Sequence, residues 1–374
     1  MTGIWWVRDA DLDESQARAV QGMPEDSSFL VRGPAGSGKT NILLLRAKWL
    51  RIKGKSELKI VVFTRTLRDF IRLGCEEYGI PQEDVLTSAQ FFRRILAEYG
   101  VKHEASATFE EDRTLLAGEL QTLIESQGIK DIFDAVLVDE TQDYLDTELH
   151  IFRKLSPRLI MATDSRQSIY RTTPTRALLE ALVGGNVISL KYHYRTGLKI
   201  CQIADGIVKD SINFAPMHGD SKYDEDSRPS SLELIACDSL EVQFQKIVGR
   251  LQAQLDAYPD ELVGILFPKR EQVSAFVDEL GRHDFGPEGN RIRVDTMHGA
   301  KGLEFRAVHI GATETLYRMG ATQKRLIYTS ILRGRTAVAI YHSGPLPGYI
   351  ESAVAKASPP RANPKLSELF GKGP

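Results

Sequence analysis

Short, continuous apolar runs alternate along this chain with longer segments in which apolar and charged positions are mixed. Phe29-Leu30-Val31, Lys59-Ile60-Val61-Val62-Phe63-Thr64, Ala135-Val136-Leu137-Val138 and Arg158-Leu159-Ile160-Met161-Ala162-Thr163 are of the first kind. Runs of this sort, without polar alternation, predict strands covered on both faces, as in a parallel sheet. Leu12-Asp13-Glu14-Ser15-Gln16-Ala17-Arg18-Ala19-Val20 reads as a helix start with acidic residues in its first turn. Asn41-Ile42-Leu43-Leu44-Leu45 and the stretch through Phe70 and Ile71 predict further helices. In Thr87-Ser88-Ala89-Gln90-Phe91-Phe92 the hydroxyls read first as helix caps. Residues from about 93 to 131 carry Leu115, Leu116, Leu120, Leu123 and Ile124 and predict a small helical insertion.

Gly184-Gly185-Asn186 breaks the pattern and places a domain boundary there. The second half opens with strand-like Val187-Ile188-Ser189-Leu190. Ser231–Ala236 and Glu261–Phe267 predict further strands, and Val273 through Leu280 a helix. Pro345, Pro347, Pro359, Pro360 and Pro364 predict a disordered tail, with Leu366-Ser367-Glu368-Leu369-Phe370 as a short apolar segment inside it. The expected organisation is an α/β fold with an N-terminal domain over 1–184, a C-terminal domain over 185–343 and a tail over 344–374.

At 374 residues the chain is long enough for two or three domains with real cores. Hydrophobic content of 42% and charged content of 26% suit a globular protein. A formal net charge of −2 argues against a globally basic nucleic-acid binder, but leaves room for a local basic groove. Cys75, Cys201 and Cys237 are far apart, odd in number and without metal-ligand spacing, which suggests a reducing compartment. With no apolar run of membrane-spanning length and no signal pattern, the expectation is a cytoplasmic protein with no membrane partner.

The chemistry concentrates in Gly33-Pro34-Ala35-Gly36-Ser37-Gly38-Lys39-Thr40. A strand-like run precedes this stretch and a helix-like one follows, the context a Walker A phosphate loop requires. Glycines let backbone N–H groups converge on phosphate oxygens, and the helix start adds its positive dipole end. Lys39 is placed to reach the β- and γ-phosphates of ATP, and the Thr40 hydroxyl to hold Mg²⁺. Downstream, the strand ending in Asp139-Glu140 is a Walker B arrangement. It sets Asp139 near Mg²⁺ and Glu140 to orient or deprotonate a water. Gln167 follows the next strand, placed to sense the γ-phosphate. Gln16, whose amide offers both a donor and an acceptor, is a candidate adenine reader. Phe63, Thr64 and Arg65 end a strand at the edge where such sheets bind ligands.

These motifs, with Gln167-Ser168-Ile169-Tyr170, Tyr194-Arg195, Thr296-Met297-His298-Gly299-Ala300-Lys301-Gly302-Leu303-Glu304-Phe305 and Leu326 through Gly334, resemble those of the UvrD/Rep/PcrA family of superfamily 1 helicases. The resemblance runs in family order from Gln16 to Arg333. It implies two RecA-like P-loop domains with ATP and Mg²⁺ in the cleft between them. It implies that Tyr194 stacks on the adenine, that Glu304, in the loop with Gly302, lies near the ribose, and that Arg195 and Arg333 reach across from the second domain. It also implies single-stranded or tailed duplex DNA as partner, 3′-to-5′ movement, and DNA contacts among Phe63, Thr64, Arg65, Tyr170, Thr296 and His298. Two features depart from the pattern. Arg171-Thr172-Thr173 replaces the usual Gly and stacking Trp, and Leu332-Arg333-Gly334 stands where Thr-Arg-Ala is usual. The intervals that hold large accessory subdomains in that family are short here. They motivate the alternative of a DNA-stimulated ATPase that regulates a partner such as a nuclease.

Overall fold

The computed structural model describes residues 7–167, 174–208, 216–318 and 321–357. Two parallel sheets dominate it. The first comprises β1 (Phe29–Arg32), β2 (Leu58–Val62), β3 (Val85–Thr87), β4 (Ala135–Val138), β5 (Leu159–Thr163) and β6 (Val187–Ser189), in the order β3-β2-β4-β5-β1-β6. The second comprises β7 (Ser231–Ala236), β8 (Val263–Phe267), β9 (Ile292–Thr296), β10 (Phe305–Ile310) and β11 (Gly334–His342), in the order β7-β11-β10-β8-β9. The fold class is α/β, with the two sheets consistent with two RecA-like units.

The unbroken apolar runs have a direct cause. Successive residues of a strand face opposite ways, and here both faces are covered. Phe29 and Val31 enter one core while Leu30 enters the other; Ile60 and Val62 likewise face away from Val61. The second sheet repeats the scheme, Leu266, Val308 and Ile340 on one side and Ile265, Phe267 and Tyr341 on the other. Three strands of this sheet, β9, β10 and β11, escape the apolar pattern because polar residues interrupt them. In β10, His309 lies within 2.9 Å of the Tyr341 hydroxyl and 2.7 Å of Gln254 Oε1, and Arg306 is forked onto Glu261. Their buried polar atoms are thus partnered, which makes a strand of this composition stable.

Three expectations change. β6 was expected to open the second domain, yet it pairs with β1 (Leu30↔Val187, Val31↔Ile188), and Ile188 and Leu190 join the first core. The boundary therefore lies after residue 190. Gly184 and Gly185, both at positive φ, only turn the chain back after the helix Arg176–Leu182. Second, the helices Ser88–Glu98 and Phe109–Gln127 of the insertion pack on the first sheet's core through Phe91, Phe92, Leu116 and Leu120. Thr87 caps the first of them in a capping box with Gln90, as its residue type suggests. Third, residues 344–357 are not a loose tail. Pro345 and Pro347 precede a helix, Gly348–Ala357, that buries Ile350 and Ala353 against the helix Leu198–Ile207. Gly206 permits that approach, since a Cβ there would lie 2.8 Å from the Ala353 Cβ. Leu366–Phe370 and the rest of 358–374 lie outside the described residues.

Ile350 is wholly buried in the second core. Ile350→Ala is expected to destabilise the protein by about 2–5 kcal/mol through lost burial and a residual cavity. Thermal and urea melts check this, and an unchanged midpoint would show that the last helix does not belong to the folded body.

Candidate nucleotide-binding site

The Gly33–Thr40 loop leaves the carboxyl end of β1, where parallel sheets present ligands, and runs into the helix Lys39–Ile52. Its conformation needs glycine at two points. Gly36 and Gly38 sit at φ 75° and 82°, and a Cβ on Gly36 would meet the Arg195 side chain at 2.8 Å. Ser37 Oγ donates to Pro34 O at 2.8 Å, tightening the loop. Lys39 is buried, and its Nζ donates to the carbonyls of Gly33 (3.0 Å) and Pro34 (2.9 Å). Burial lowers its pKa, opposed by Asp164, Glu140 and Asp139.

Opposite the loop stands the end of β4. The Thr40 hydroxyl donates to Asp139 Oδ2 at 2.6 Å. Burial, then the neighbouring Glu140 charge, push the Asp139 carboxyl up to about 6, against the Thr40 hydrogen bond and Lys39. For Glu140 burial acts in the same upward direction, but Lys301, Lys39 and Arg333 outweigh it and hold the carboxyl below its ordinary value. Glu140 occupies the left-handed region at φ 52°, held there by its N–H on Asp139 Oδ1 (2.8 Å) and by the Gln142 amide on its carboxylate. Such strain in a non-glycine residue typically costs about 1–3 kcal/mol and clusters at functional sites. The hydroxyl–carboxylate pair Thr40/Asp139 supplies hard oxygen donors beside a second buried carboxylate. That donor set fits Mg²⁺, which keeps waters and substrate phosphates rather than filling an all-protein cage. Among the described residues no cluster of three or more His, Cys, Asp or Glu forms such a cage.

The second sheet closes the site. Arg333, just ahead of β11, is buried; it donates through Nε to Thr329 O at 3.1 Å and through Nη2 to Gln167 Oε1. Gln167 in turn donates to Asp164 Oδ2 at 2.8 Å. Lys301 pairs with Asp143 and donates to Gln167 O at 2.8 Å, and Thr64 Oγ1 donates to Lys301 O at 3.3 Å. A small pocket of about 40 Å³ is lined by Lys39, Thr40, Glu140, Gln167, Arg195, Gly302, Glu304 and Arg333, with Ala35, Gly36, Gly38 and Asn41. A cavity of about 250 Å³ adjoins it, lined by Gln16, Gly36, Gly38, Tyr194, Arg195, Glu304 and Arg335, among others. The residues expected at a nucleotide thus converge, although they come from both sheets.

The parentage of Arg195 differs from expectation. It follows β6 on the crossover between the units, where Tyr194 N donates to Gly36 O at 3.1 Å and Gly197 N to Arg335 O at 2.9 Å. Arg195 is therefore anchored to the phosphate loop itself and pairs with Glu304 from the second unit. Burial drives its pKa down strongly, with the Arg333 and Arg335 charges adding to the effect. Gln16 donates to Ser37 O at 3.0 Å and accepts from Asp13 N at 2.9 Å. One amide proton and one lone pair remain for a ligand. Tyr194 is 40% exposed and donates to Asp13 Oδ2 at 2.5 Å.

The candidate strand contacts separate into groups. The half-buried Phe63 ring stands edge-on to Phe109 and Tyr144, with the Arg113 guanidinium 5.0 Å from its centroid. Thr64 caps the helix Arg65–Tyr78 as well as touching Lys301. Thr296 accepts from Gly299 N at 2.9 Å. Arg65 and His298 are exposed. Tyr170 lies outside the described residues. Sequence reasoning missed Asp13, whose place three residues before Gln16 marks a capping box, and Arg335, for which no periodic signal exists.

Fold and site together define an α/β protein built around a phosphate loop, with a second parallel sheet closing on it. Residues 16–173 match a family described as an AAA domain. No curated protein matches the chain in sequence. Among solved structures, the helicase of PRRSV is similar at 14% identity and a TM-score of 0.42, over 88% of this chain and 54% of that one. Arterivirus nonstructural protein 10, a helicase, is similar at 15% identity and a TM-score of 0.38, over 87% of this chain and 61% of that one. The chain thus spans less than two thirds of the length of either helicase. No helix among the described residues is long and apolar enough to cross a membrane.

The raised Asp139 carboxyl makes a signed prediction. Its folded value of about 6 exceeds the unfolded 3.8, so the native state binds the extra proton and stability falls as pH rises between them. Asp139→Asn removes that penalty. It should stabilise the ligand-free protein at pH 8 by up to about 3 kcal/mol, with the gain shrinking toward pH 4. Denaturant melts across that range decide; a pH-independent difference between the two proteins contradicts the assignment.

Proposed function

We propose that this chain is an ATP-hydrolysing superfamily 1 motor of the UvrD/Rep/PcrA type, moving on single-stranded nucleic acid. The observation that carries the reading is the meeting of Lys39, Arg195 and Arg333 around one small pocket between two sheets. Lys39 gives up two backbone carbonyls to hold phosphate oxygens, and the N–H groups of the Gly33–Thr40 loop add to it. Thr40 and Asp139 would hold Mg²⁺, which when bound would supply charge neutralisation on the phosphates. Glu140, kept ionised by the three cations around it, takes a proton from the attacking water or orients it. Gln167 aligns that water and reports on it to Arg333, its hydrogen-bond partner. Arg333 stabilises charge on the transferring phosphoryl only when the second unit is closed on the first, an effect worth about 10³–10⁵ in rate. Tyr194 and Gln16 receive the base, and Gly302 and Glu304 the sugar side.

Closure then moves the strand-binding edges relative to each other. Arg65 and His298, exposed at the ends of β2 and β9, are the contacts to the strand, with Thr64 and Thr296 setting their loops. Resemblance of the motifs supports DNA and 3′-to-5′ movement; phosphate contacts alone do not separate DNA from RNA. One observation favours a second reading. Both helices of the insertion are built into the first core instead of standing apart to engage a duplex. A DNA-stimulated ATPase that switches a partner such as a nuclease, with little unwinding of its own, satisfies this.

Fluorescent duplexes with a 3′ or 5′ tail, in DNA and in RNA, test the proposal when mixed with the protein and ATP. Release from the 3′-tailed DNA duplex supports the motor, and stimulated ATP turnover without release supports the regulator. No stimulation by any strand sinks both. Lys39→Ala and Glu140→Gln are each expected to abolish turnover, the first with weaker ATP binding and the second with binding retained. Arg333→Ala should keep nucleotide affinity and lower kcat by about 10³ or more. Single-turnover hydrolysis and equilibrium binding separate these outcomes, and near-normal kcat in Arg333→Ala would refute the cross-cleft role.

A further inference from the structure

Arg335 lies one residue inside β11, two positions after Arg333, and the two arginines serve different halves of one space. Arg333 lines the small pocket and Arg335 the large cavity, while Gly36, Gly38, Asn41, Arg195 and Glu304 line both. A nucleotide whose terminal phosphate sits beside Lys39 and Arg333 must run back over Gly36 and Gly38 toward Gln16 and Tyr194. Arg335 stands on that path.

Its charge is poorly matched by the protein. Among the described residues the guanidinium makes one hydrogen bond, from Nη1 to Glu261 Oε2 at 3.3 Å, long for a charge-assisted pair. The other oxygen of Glu261 is taken by the fork of Arg306. Arg335 Nε is buried with no partner among the described residues, and so is Arg195 Nε. Burial lowers the Arg335 pKa; Glu261 opposes this, and the guanidinium groups of Arg306 and Arg228 reinforce it. Arg335 in turn destabilises the charge on Arg195. Buried cations in excess of their carboxylates are unfavourable unless an anion joins them.

We propose that Arg335 is a nucleotide-binding residue whose guanidinium donates to the α-phosphate of the nucleoside triphosphate seated on the Gly33–Thr40 loop. The assignment rests on the ATP-site reading above and adds a contact to it. It also gives the strand a second use. The carbonyl of Arg335 accepts from Gly197 N, so the residue that meets the nucleotide also fixes the crossover segment bearing Tyr194 and Arg195.

The test uses the full chain and its Arg335→Gln and Arg335→Lys variants, with ADP and adenosine binding by calorimetry and steady-state ATP hydrolysis. Arg335→Gln should weaken ADP about tenfold and raise the ATP KM to match, since it removes a charge-assisted hydrogen bond. Adenosine affinity and kcat should hold, and Arg335→Lys should recover part of the ADP affinity. A normally melting Arg335→Gln with wild-type ADP affinity overturns the proposal, as does an equal loss for ADP and adenosine. Should the Gln variant not fold, Arg335→Lys decides alone, because an ammonium keeps the charge and loses the fork. Wild-type ADP affinity in that variant then overturns the contact. Wild-type protein that binds neither ADP nor ATP overturns the ATP site and this contact together. ATP hydrolysis that no strand stimulates removes the motor and leaves the contact standing.

Discussion

The structure depends on buried charges from two separate sheets finding their partners in one cleft. Arg333 and Lys301 come from the second unit and are almost entirely shielded from water. Neither can be left unpaired there, because an isolated buried ion is far more expensive than an exposed one. Their partners are Gln167 and Asp143 of the first unit. The apposition of the units is therefore tied to the electrostatics of the site, and anything that changes the charge in the pocket changes how well they hold together.

The same logic explains the carboxylates. Asp139 and Glu140 are adjacent, buried and unequal: one is pushed up to about 6 and the other held down by three cations. The asymmetry comes from the second unit, since Lys301 is the largest of the charges holding Glu140 down and Arg333 contributes as well. With the units apart, Glu140 would lose two of those three charges. The chemistry available at the end of β4 is thus set partly by residues more than a hundred positions downstream. Arg195 has an intermediate place, anchored through its neighbour to Gly36 and paired with Glu304, so the crossover senses both bodies.

Much of this was written in local sequence. The phosphate loop, the strand ending in Asp139-Glu140 and the capping residue Thr87 act through contacts within a few positions, which is why residue type and spacing suffice to place them. The unbroken apolar strands of the first sheet announced a parallel sheet because each face needs its own core. Other features were hidden for equally physical reasons. β10 and β11 carry Arg306, His309 and Arg335, polar residues whose burial is tolerable only once Glu261, Gln254 and Tyr341 arrive from elsewhere.

The sequence by itself determined most elements of the first sheet and the first half of the site, since both rest on backbone conformation and short-range hydrogen bonding. Tertiary structure alone decided which sheet β6 joins, that the helix Gly348–Ala357 is part of the folded body, and that Arg335 shares a cavity with Gln16 and Tyr194. Each of those outcomes turns on a partner distant in the chain. A strand belongs to the sheet that completes its hydrogen bonds, and a buried charge to whichever surface compensates it.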